Sequence, residues 1–283
     1  MTAFQRFLRK AGNIMSGNGS WAVRSDGKAD GIVLAIDFPG TGRREAGFTD
    51  LAERLDIPYA LWETLPPPFA HATMLTGADW IDRWMAGVEA SGRPVRAVMA
   101  FCAASPYAAA LAHRIGALQG GTPDTVFFDP DIPEEFFLYW QYQQIMERFL
   151  PDLSAEETAA ARQRGEQARE HAEDLTALGT ELIRLFHEYG EPACRRAGLD
   201  DERTAEFLGG FTTYVSFVCG SSQIAAQEPE VLVGSWSTAT AVTSASSGKA
   251  GKLVAKDITF PDITHVDLLA TAEVAAAVSA LLK

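Results

Sequence analysis

Cys102 is the residue whose surroundings most favour covalent chemistry. It lies at the centre of the stretch Ala100-Phe101-Cys102-Ala103-Ala104, after the apolar run VRAVMAF and before the Ala-rich run AASPYAAALAHRIG. A strand, a sharp turn and a helix expose the residue at the turn, and small residues on either side let the turn close. A thiol facing a helix N-terminus is also easier to ionise. The pattern therefore predicts a cysteine nucleophile.

A thiol nucleophile needs a base, usually histidine, and an acid that orients the base. Asp129 ends the next predicted strand, DTVFF, and His265 follows the last predicted strand, so both fall at the same sheet edge as Cys102. We therefore predict a catalytic triad of Cys102, His265 and Asp129. Other acids near these positions are Asp131, Asp262 and Asp267. The alternative for the cysteine is a buried, small apolar residue without chemistry.

An acyl-transfer site also needs backbone N–H groups that bind the oxyanion. We predict one from Ala103, directly after the nucleophile, and one from Gly40 or Thr41 in the turn FPGTG. These glycines also suit a phosphate loop, but no GK[ST] follows them. Aromatic candidates for the substrate pocket are Phe38, Phe101, Phe137 and Trp140. For the last two, packing in the core is the alternative.

The predicted elements bring these residues to one edge of a parallel sheet. Strands are predicted at 31–37, 57–62, 95–101 and 124–128, with helices at 48–55, 76–90 and 103–118 between them. This alternation indicates an α/β protein with a mostly parallel sheet flanked by helices. Further strands are predicted at 229–236 and 256–260, a mobile loop at 235–252, and a last helix at 266–282.

Residues 133–226 indicate helices only, which interrupts the α/β alternation. We predict that this segment is an inserted helical lid. The α/β core is then formed by residues 1–132 and 227–283.

Composition excludes several classes of protein. The chain has 283 residues, 47% hydrophobic and 22% charged, which is typical of a packed globule. Lys and Arg number 24 against 37 Asp and Glu, a net charge of −13, so nucleic acid is an unfavourable partner. The three cysteines form no CxxC pair, and no disulfide framework or metal site is expected. No apolar run reaches the roughly 20 residues of a membrane helix, and no signal peptide is evident, so we expect a cytoplasmic protein.

The order of these residues resembles the thioesterase branch of the α/β hydrolases that serves nonribosomal peptide and polyketide synthases. In that branch the nucleophile lies on a sharp turn between a strand and a helix, called the nucleophile elbow. The acid follows the next strand, as Asp129 does, and a helical lid follows the acid. The turn FPGTG resembles the family's F-P-x-x-G oxyanion turn, and THVDLL its G-H-x-x-L stretch. The chain departs from the family's G-x-S-x-G elbow, which here is A-F-C-A-A. The resemblance implies an α/β-hydrolase fold.

Cysteine at the elbow narrows the reaction class, because a thioester on Cys102 conserves the energy of an incoming thioester. The chain is similar to the stand-alone aminoacyl transferases of the coronamic acid and syringomycin pathways. This similarity implies acyl or aminoacyl transfer between phosphopantetheine arms of acyl or peptidyl carrier proteins, without a cofactor of its own. The alternatives are a hydrolytic or cyclising thioesterase and a non-catalytic binding protein.

Carrier proteins are generally acidic, so docking on this acidic chain requires a local basic patch. The candidates are Arg6, Arg9 and Lys10 near the N-terminus, Arg43 and Arg44 beside the oxyanion turn, and Arg195 and Arg196 in the lid. For each set, an ordinary solvated surface is the favoured alternative.

Overall fold

The central feature is a sheet of seven strands, seen in a computed structural model that describes residues 19–39, 44–149, 153–246 and 254–283. The strands are β1 (Trp21–Ser25), β2 (Ile32–Ile36), β3 (Ala60–Thr64), β4 (Val95–Phe101), β5 (Asp124–Phe128), β6 (Thr240–Ser244) and β7 (Lys256–Phe260). Their order is β1-β3-β2-β4-β5-β6-β7. Neighbours are parallel except β1 and β3. This confirms the predicted, mostly parallel sheet.

The central strands form because their side chains are apolar on both faces. All five residues of β2 are buried, and in β4 Arg96 alone is exposed. A parallel strand covered by helices on both faces has no polar face, so its sequence is a nearly unbroken apolar run. Burial of these side chains, worth roughly 25 cal/mol per Å² of apolar surface, keeps β2 and β4 at the centre of the sheet.

Nine α-helices accompany the strands in the described ranges. They are α1 (Phe48–Ala52), α2 (Gly77–Ser91), α3 (Ser105–Gln119), α4 (Glu135–Phe149), α5 (Ala155–His171), α6 (Leu175–Arg196), α7 (Asp201–Gln227), α8 (Pro229–Trp236) and α9 (Ala272–Leu281). Helices α2 and α3 connect consecutive parallel strands. Within the described residues, no helix is long and apolar enough to span a bilayer.

Helices α4 to α8 connect β5 to β6. Helices α6 and α7 pack together through Phe186 and Phe211, whose ring centroids are 4.2 Å apart. Phe217 of α7 contacts Trp80 of α2 and Tyr107 of α3, with ring centroids 5.6 and 5.0 Å apart. The Tyr107 hydroxyl donates a 2.8 Å hydrogen bond to the Phe217 carbonyl. Helix α7 therefore joins these connecting helices to the core of the sheet.

The strand predicted at 229–236 is wrong, since this segment is helix α8. Leu232 and Trp236, four residues apart, are buried, whereas Val233 is 67% exposed. That spacing is helical, but a short apolar run does not distinguish strand from helix by periodicity alone. The strand that follows β5 in the sheet is β6, inside the range 235–252 that was predicted as a mobile loop. Residues 247–252 of that predicted loop lie outside the described residues.

Other boundaries differ by a few residues. The strand predicted at 57–62 is β3, Ala60–Thr64, and the last helix begins at Ala272 rather than at 266. A short 3₁₀ turn, Leu268–Ala270, occupies the intervening segment. Strand β1 was not predicted, because its residues WAVRS are only partly buried at the sheet edge and carry no strong apolar signal.

Gly209 is required by a close contact between α7 and the 3₁₀ turn Phe69–His71. A Cβ atom at Gly209 would lie 1.9 Å from the carbonyl oxygen of Phe69. Glycine in a helix interior costs about 1 kcal/mol relative to alanine. The close contact explains why glycine is present at position 209 despite this cost.

We expect Gly209→Ala to lower the free energy of unfolding by about 1–3 kcal/mol, since the added methyl group would force the two backbones apart. Urea unfolding measures this change. The control is Gly234→Ala in α8, where a Cβ would meet nothing within 4 Å. The control should be neutral or stabilising by up to about 1 kcal/mol. Equal stability of the two variants would contradict the contact.

Candidate active site

Cys102 occupies a strained turn between β4 and α3. Its φ is +51°, in the left-handed region that non-glycine residues rarely adopt, at a cost of roughly 1–3 kcal/mol. Its carbonyl accepts hydrogen bonds from the Ser105 hydroxyl at 2.8 Å and from the Asp131 backbone N–H at 3.3 Å. The flanking Ala100 and Ala104 are buried, so larger side chains would not fit. These contacts hold the turn in its strained conformation.

The turn is also tied to α7. The hydroxyl of Ser221 donates a hydrogen bond to the carbonyl of Ala103, the residue after Cys102. Both ends of this contact are buried. The helices between β5 and β6 therefore help to position the backbone next to the thiol.

Asp129 follows β5 and also has a left-handed backbone, with φ +42°. It is 5% exposed, and its carboxylate accepts three hydrogen bonds. The Ser244 backbone N–H donates at 2.7 Å, the Ser244 hydroxyl at 2.6 Å, and His265 Nδ1 at 2.7 Å. Burial opposes ionisation, but these hydrogen bonds outweigh it, so the pKa of Asp129 is lowered.

His265 is positioned by Asp129 and by Phe101. An ionised carboxylate only accepts hydrogen bonds, so Nδ1 of the imidazole carries the proton and Nε2 is left as the basic nitrogen. The imidazole stacks on the Phe101 ring, with centroids 4.7 Å apart and planes 22° apart. Phe101 directly precedes Cys102. Strand β4, which ends next to Cys102, thus also supports the His265 imidazole.

The Cys102 thiol is neutral in the resting site. Burial, together with the charges of Asp131, Asp37 and Asp129, raises its pKa to about 12. A hydrogen bond from the Ala103 backbone acts in the opposite direction but is outweighed. The helix N-terminus therefore does not ionise the thiol, contrary to the expectation from its position alone. Nucleophilic attack requires that a base remove the proton during the reaction.

Cys102 and His265 open onto the same cavity, of about 360 Å³. The predicted pocket residues Phe38, Phe101, Phe137 and Trp140 all line it, and so does Ala103. Sequence reasoning missed the wall built by α6 and α7, which consists of Phe186, Phe207, Gly210, Phe211, Tyr214, Phe217 and Val218. No sequence signal shows which face of a long, buried helix borders a cavity.

Gly40 and Thr41, predicted for the oxyanion turn, lie outside the described residues. The Ala103 backbone is next to the thiol, as expected for a residue directly after a nucleophile. Among the alternative acids, Asp131 accepts a hydrogen bond from the Ile132 backbone, and Asp267 accepts one from the Thr264 hydroxyl. His265 bonds to Asp129.

Ser244 is a site residue that sequence reasoning missed. It ends β6, between β5 and β7, and brings both its backbone and its hydroxyl to Asp129. The segment 240–244 was assigned to a loop, so no residue there was considered. The β-branched residues Thr240, Val242 and Thr243 were the available signal for a strand.

The predicted basic patches are only partly in the described ranges. Arg44 lines the cavity beside Glu45, and Arg196 forms an ion pair with Glu157 at 2.9 Å. Arg195 lies beside a second cavity, between α6 and the start of α7. The remaining candidates, Arg6, Arg9, Lys10 and Arg43, lie outside the described residues. The other two cysteines, Cys194 and Cys219, are buried.

No protein-family model matches the chain, and no curated protein sequence is significantly similar to it. Solved structures are similar in fold. One is a four-domain nonribosomal peptide synthetase bound to AMP and glycine, with a TM-score of 0.54 and 13% identity over 96% of this chain. The chain spans about a fifth of that protein, 21% of its length.

Two further structures match over nearly their whole length. The Vlm2 thioesterase domain bound with a dodecadepsipeptide has a TM-score of 0.50 and 14% identity, covering 93% of this chain and 96% of that domain. AqDC, which cleaves the ring of the Pseudomonas quinolone signal, has a TM-score of 0.55 and 12% identity, covering 93% and 95%. The chain therefore has the α/β-hydrolase fold that the resemblance implied.

We expect Ser244→Ala to destabilise the protein by about 1–2 kcal/mol near neutral pH, because it removes one hydrogen bond to a buried carboxylate. The folded-state pKa of Asp129 lies below its ordinary value of 3.8. Its stabilising contribution is therefore complete above that value and is lost as the pH falls through the lowered pKa. Urea unfolding near neutral pH and at about pH 3 should show the difference between variant and parent shrinking on acidification.

Ser237→Ala, at an exposed serine just after α8, is the matched control and should change stability little at either pH. A Ser244→Ala penalty that stays constant between the two pH values would contradict a role tied to the ionised Asp129.

Proposed function

We propose that this protein is a thioesterase-like acyltransferase that moves a thioester-bound acyl group between phosphopantetheine carrier proteins through a covalent adduct on Cys102. The observation that carries the proposal is the hydrogen bond from His265 Nδ1 to Asp129, 2.7 Å long, at the wall of the cavity that Cys102 also lines. It leaves a basic nitrogen on a residue that lines the same cavity as the half-buried Cys102 thiol. The similarity in fold to a nonribosomal peptide synthetase and to a thioesterase domain supports carrier proteins as partners.

The first half-reaction forms the acyl-enzyme. His265 Nε2 takes the proton of Cys102 as the sulfur attacks the carbonyl carbon of the donor thioester. The Ala103 backbone N–H stabilises the resulting oxyanion. When the intermediate collapses, the carbon–sulfur bond to pantetheine breaks and the leaving thiolate takes the proton from the imidazolium. Asp129 stays ionised and stabilises the imidazolium charge.

The second half-reaction reverses these steps with a new acceptor. An incoming pantetheine thiol gives its proton to His265, attacks the acyl-Cys102 carbonyl, and releases Cys102 as a neutral thiol. Both half-reactions exchange one thioester for another, so they are nearly balanced in energy. No resident cofactor is needed, since pantetheine belongs to the partner. The second oxyanion donor, Gly40 or Thr41, stays a prediction.

The raised pKa of the thiol suits this cycle. A neutral thiol avoids a permanent thiolate in a site already surrounded by the carboxylates of Asp37, Asp129 and Asp131. Proton transfer to His265 then occurs only when an electrophile is bound. The cysteine is thereby protected from reaction with other electrophiles between turnovers.

A second candidate function uses the His265–Asp129 pair without a cysteine adduct. The neutral Cys102 thiol favours it, because a base next to an aromatic cavity could act on a bound ring compound directly. The fold shared with AqDC is compatible with such chemistry. Its distinguishing consequence is that turnover would survive Cys102→Ala.

The proposed function is tested by intact-protein mass spectrometry with a panel of acyl-pantetheine thioesters, in wild type and Cys102→Ala. We expect a wild-type adduct of one acyl mass that persists in buffer and is discharged when pantetheine is added. The variant should form none. Cys219→Ala removes a buried thiol that does not line the cavity and should leave the adduct unchanged.

An adduct that decays in buffer to free acid would overturn transfer and identify a hydrolase. An adduct equally abundant in Cys102→Ala would exclude Cys102 as the nucleophile. Turnover of a ring compound by Cys102→Ala would establish the second candidate instead.

A further inference from the structure

The Asp, Glu and Arg residues that line the cavity beside Cys102 come from one part of the chain. Asp37, Arg44 and Glu45 belong to the segment between β2 and α1. The lining residues from α6 and α7 are aromatic or small and apolar, and α4 adds Gln141 and Gln144. A charged group pressed against this wall would lose its hydration without gaining an ionic partner.

The aromatic wall is built from rings that are themselves rigidly packed. The ring centroids of Phe211 and Phe186 are 4.2 Å apart. The Phe38 ring lies 5.4 Å from the Tyr214 ring and 5.6 Å from the Phe217 ring, measured between centroids. Rings held on several sides do not collapse inward to fill the cavity. The space they enclose is thus preformed for a ligand.

Gly210 forms part of this wall. It is buried in the interior of α7, next to Gly209, and it lines the cavity. The contact with Phe69 explains the neighbouring Gly209. Gly210 lines the cavity without a side chain, so a larger residue at this position is expected to reduce the cavity volume.

We infer that the acyl group accepted by Cys102 is bulky and apolar, such as a medium-length aliphatic chain or a phenyl-bearing group, and that Gly210 sets the depth available to it. The volume, about 360 Å³, lies within the range of roughly 300–1,000 Å³ that encloses small organic ligands. The covalent step rests on the proposed function. The size and polarity of the ligand follow from the cavity itself.

The first experiment compares the rate of Cys102 acylation by N-acetylcysteamine thioesters with octanoyl, phenylacetyl, acetyl and succinyl groups. We expect the octanoyl and phenylacetyl esters to react at least about tenfold faster than the acetyl and succinyl esters, because each buried methylene adds binding energy in the transition state. Equal or faster reaction of the acetyl or succinyl ester would overturn the inference.

The matched variants are Gly210→Leu and Gly234→Leu, each of which adds an isobutyl group to a helix. Gly210→Leu should reduce the octanoyl-to-acetyl rate ratio about tenfold, whereas Gly234→Leu, far from the cavity wall, should leave the ratio unchanged. Gly210→Ala should give an intermediate ratio and covers the case in which the larger variant fails to fold. An unchanged ratio in a folded Gly210 variant would overturn the role of Gly210.

The second experiment removes any dependence on catalysis. It measures by calorimetry the binding of the corresponding amides, in which nitrogen replaces the thioester sulfur. Octanoyl amide should bind at least about tenfold more tightly than succinyl amide, and Gly210→Ala should weaken octanoyl binding selectively. If no thioester acylates Cys102 but this preference is found, the proposed function fails, and the inferred size and polarity of the cavity's ligand stand. Absence of the preference overturns the inference.

Discussion

The hydrogen bond between His265 and Asp129 is the interaction on which the site depends. It joins residues 136 positions apart in the sequence, one at the end of β5 and the other after β7. Strand β6 lies between them and contributes Ser244, whose backbone and hydroxyl hold the same carboxylate. The parallel pairing of these three strands is therefore what brings acid and base together. The largely buried strands β5 and β6 hold the carboxylate in place, whereas β7, which leads to His265, is a more exposed edge strand.

The same geometry accounts for the electrostatics. Desolvation and the charges of Asp131, Asp37 and Asp129 raise the pKa of the Cys102 thiol, while hydrogen bonds lower the pKa of Asp129. An ionised Asp129 fixes the imidazole tautomer and stabilises the imidazolium only when a proton arrives. This arrangement supports the proposed proton transfer from Cys102 to His265 during attack, in place of a resting thiolate–imidazolium pair. Backbone strain at Cys102 and Asp129 occurs at the two strand ends that bear these groups.

Much of this arrangement could be predicted from the sequence, and the reasons are local. Cys102, Asp129 and His265 each follow a strand whose apolar run or position in the order is recognisable, and strand ends of a parallel sheet meet at one edge. Ser244 was missed because its short strand lies in a Ser- and Thr-rich segment that is typical of a loop, and the β-branched residues gave only a weak strand signal. Helix α8 was mistaken for a strand because its eight residues contain too few turns to show a helical period. The cavity wall depends on how α6 and α7 pack, which long-range contacts decide.

The central claim is that His265 activates Cys102 for attack on a thioester. The most direct test is the single-turnover rate of Cys102 acylation by octanoyl-N-acetylcysteamine, followed by rapid quench and mass spectrometry in wild type and His265→Ala. The account predicts that loss of the base slows acylation about a thousandfold. Acylation of Cys102 at the same rate in both proteins would contradict it.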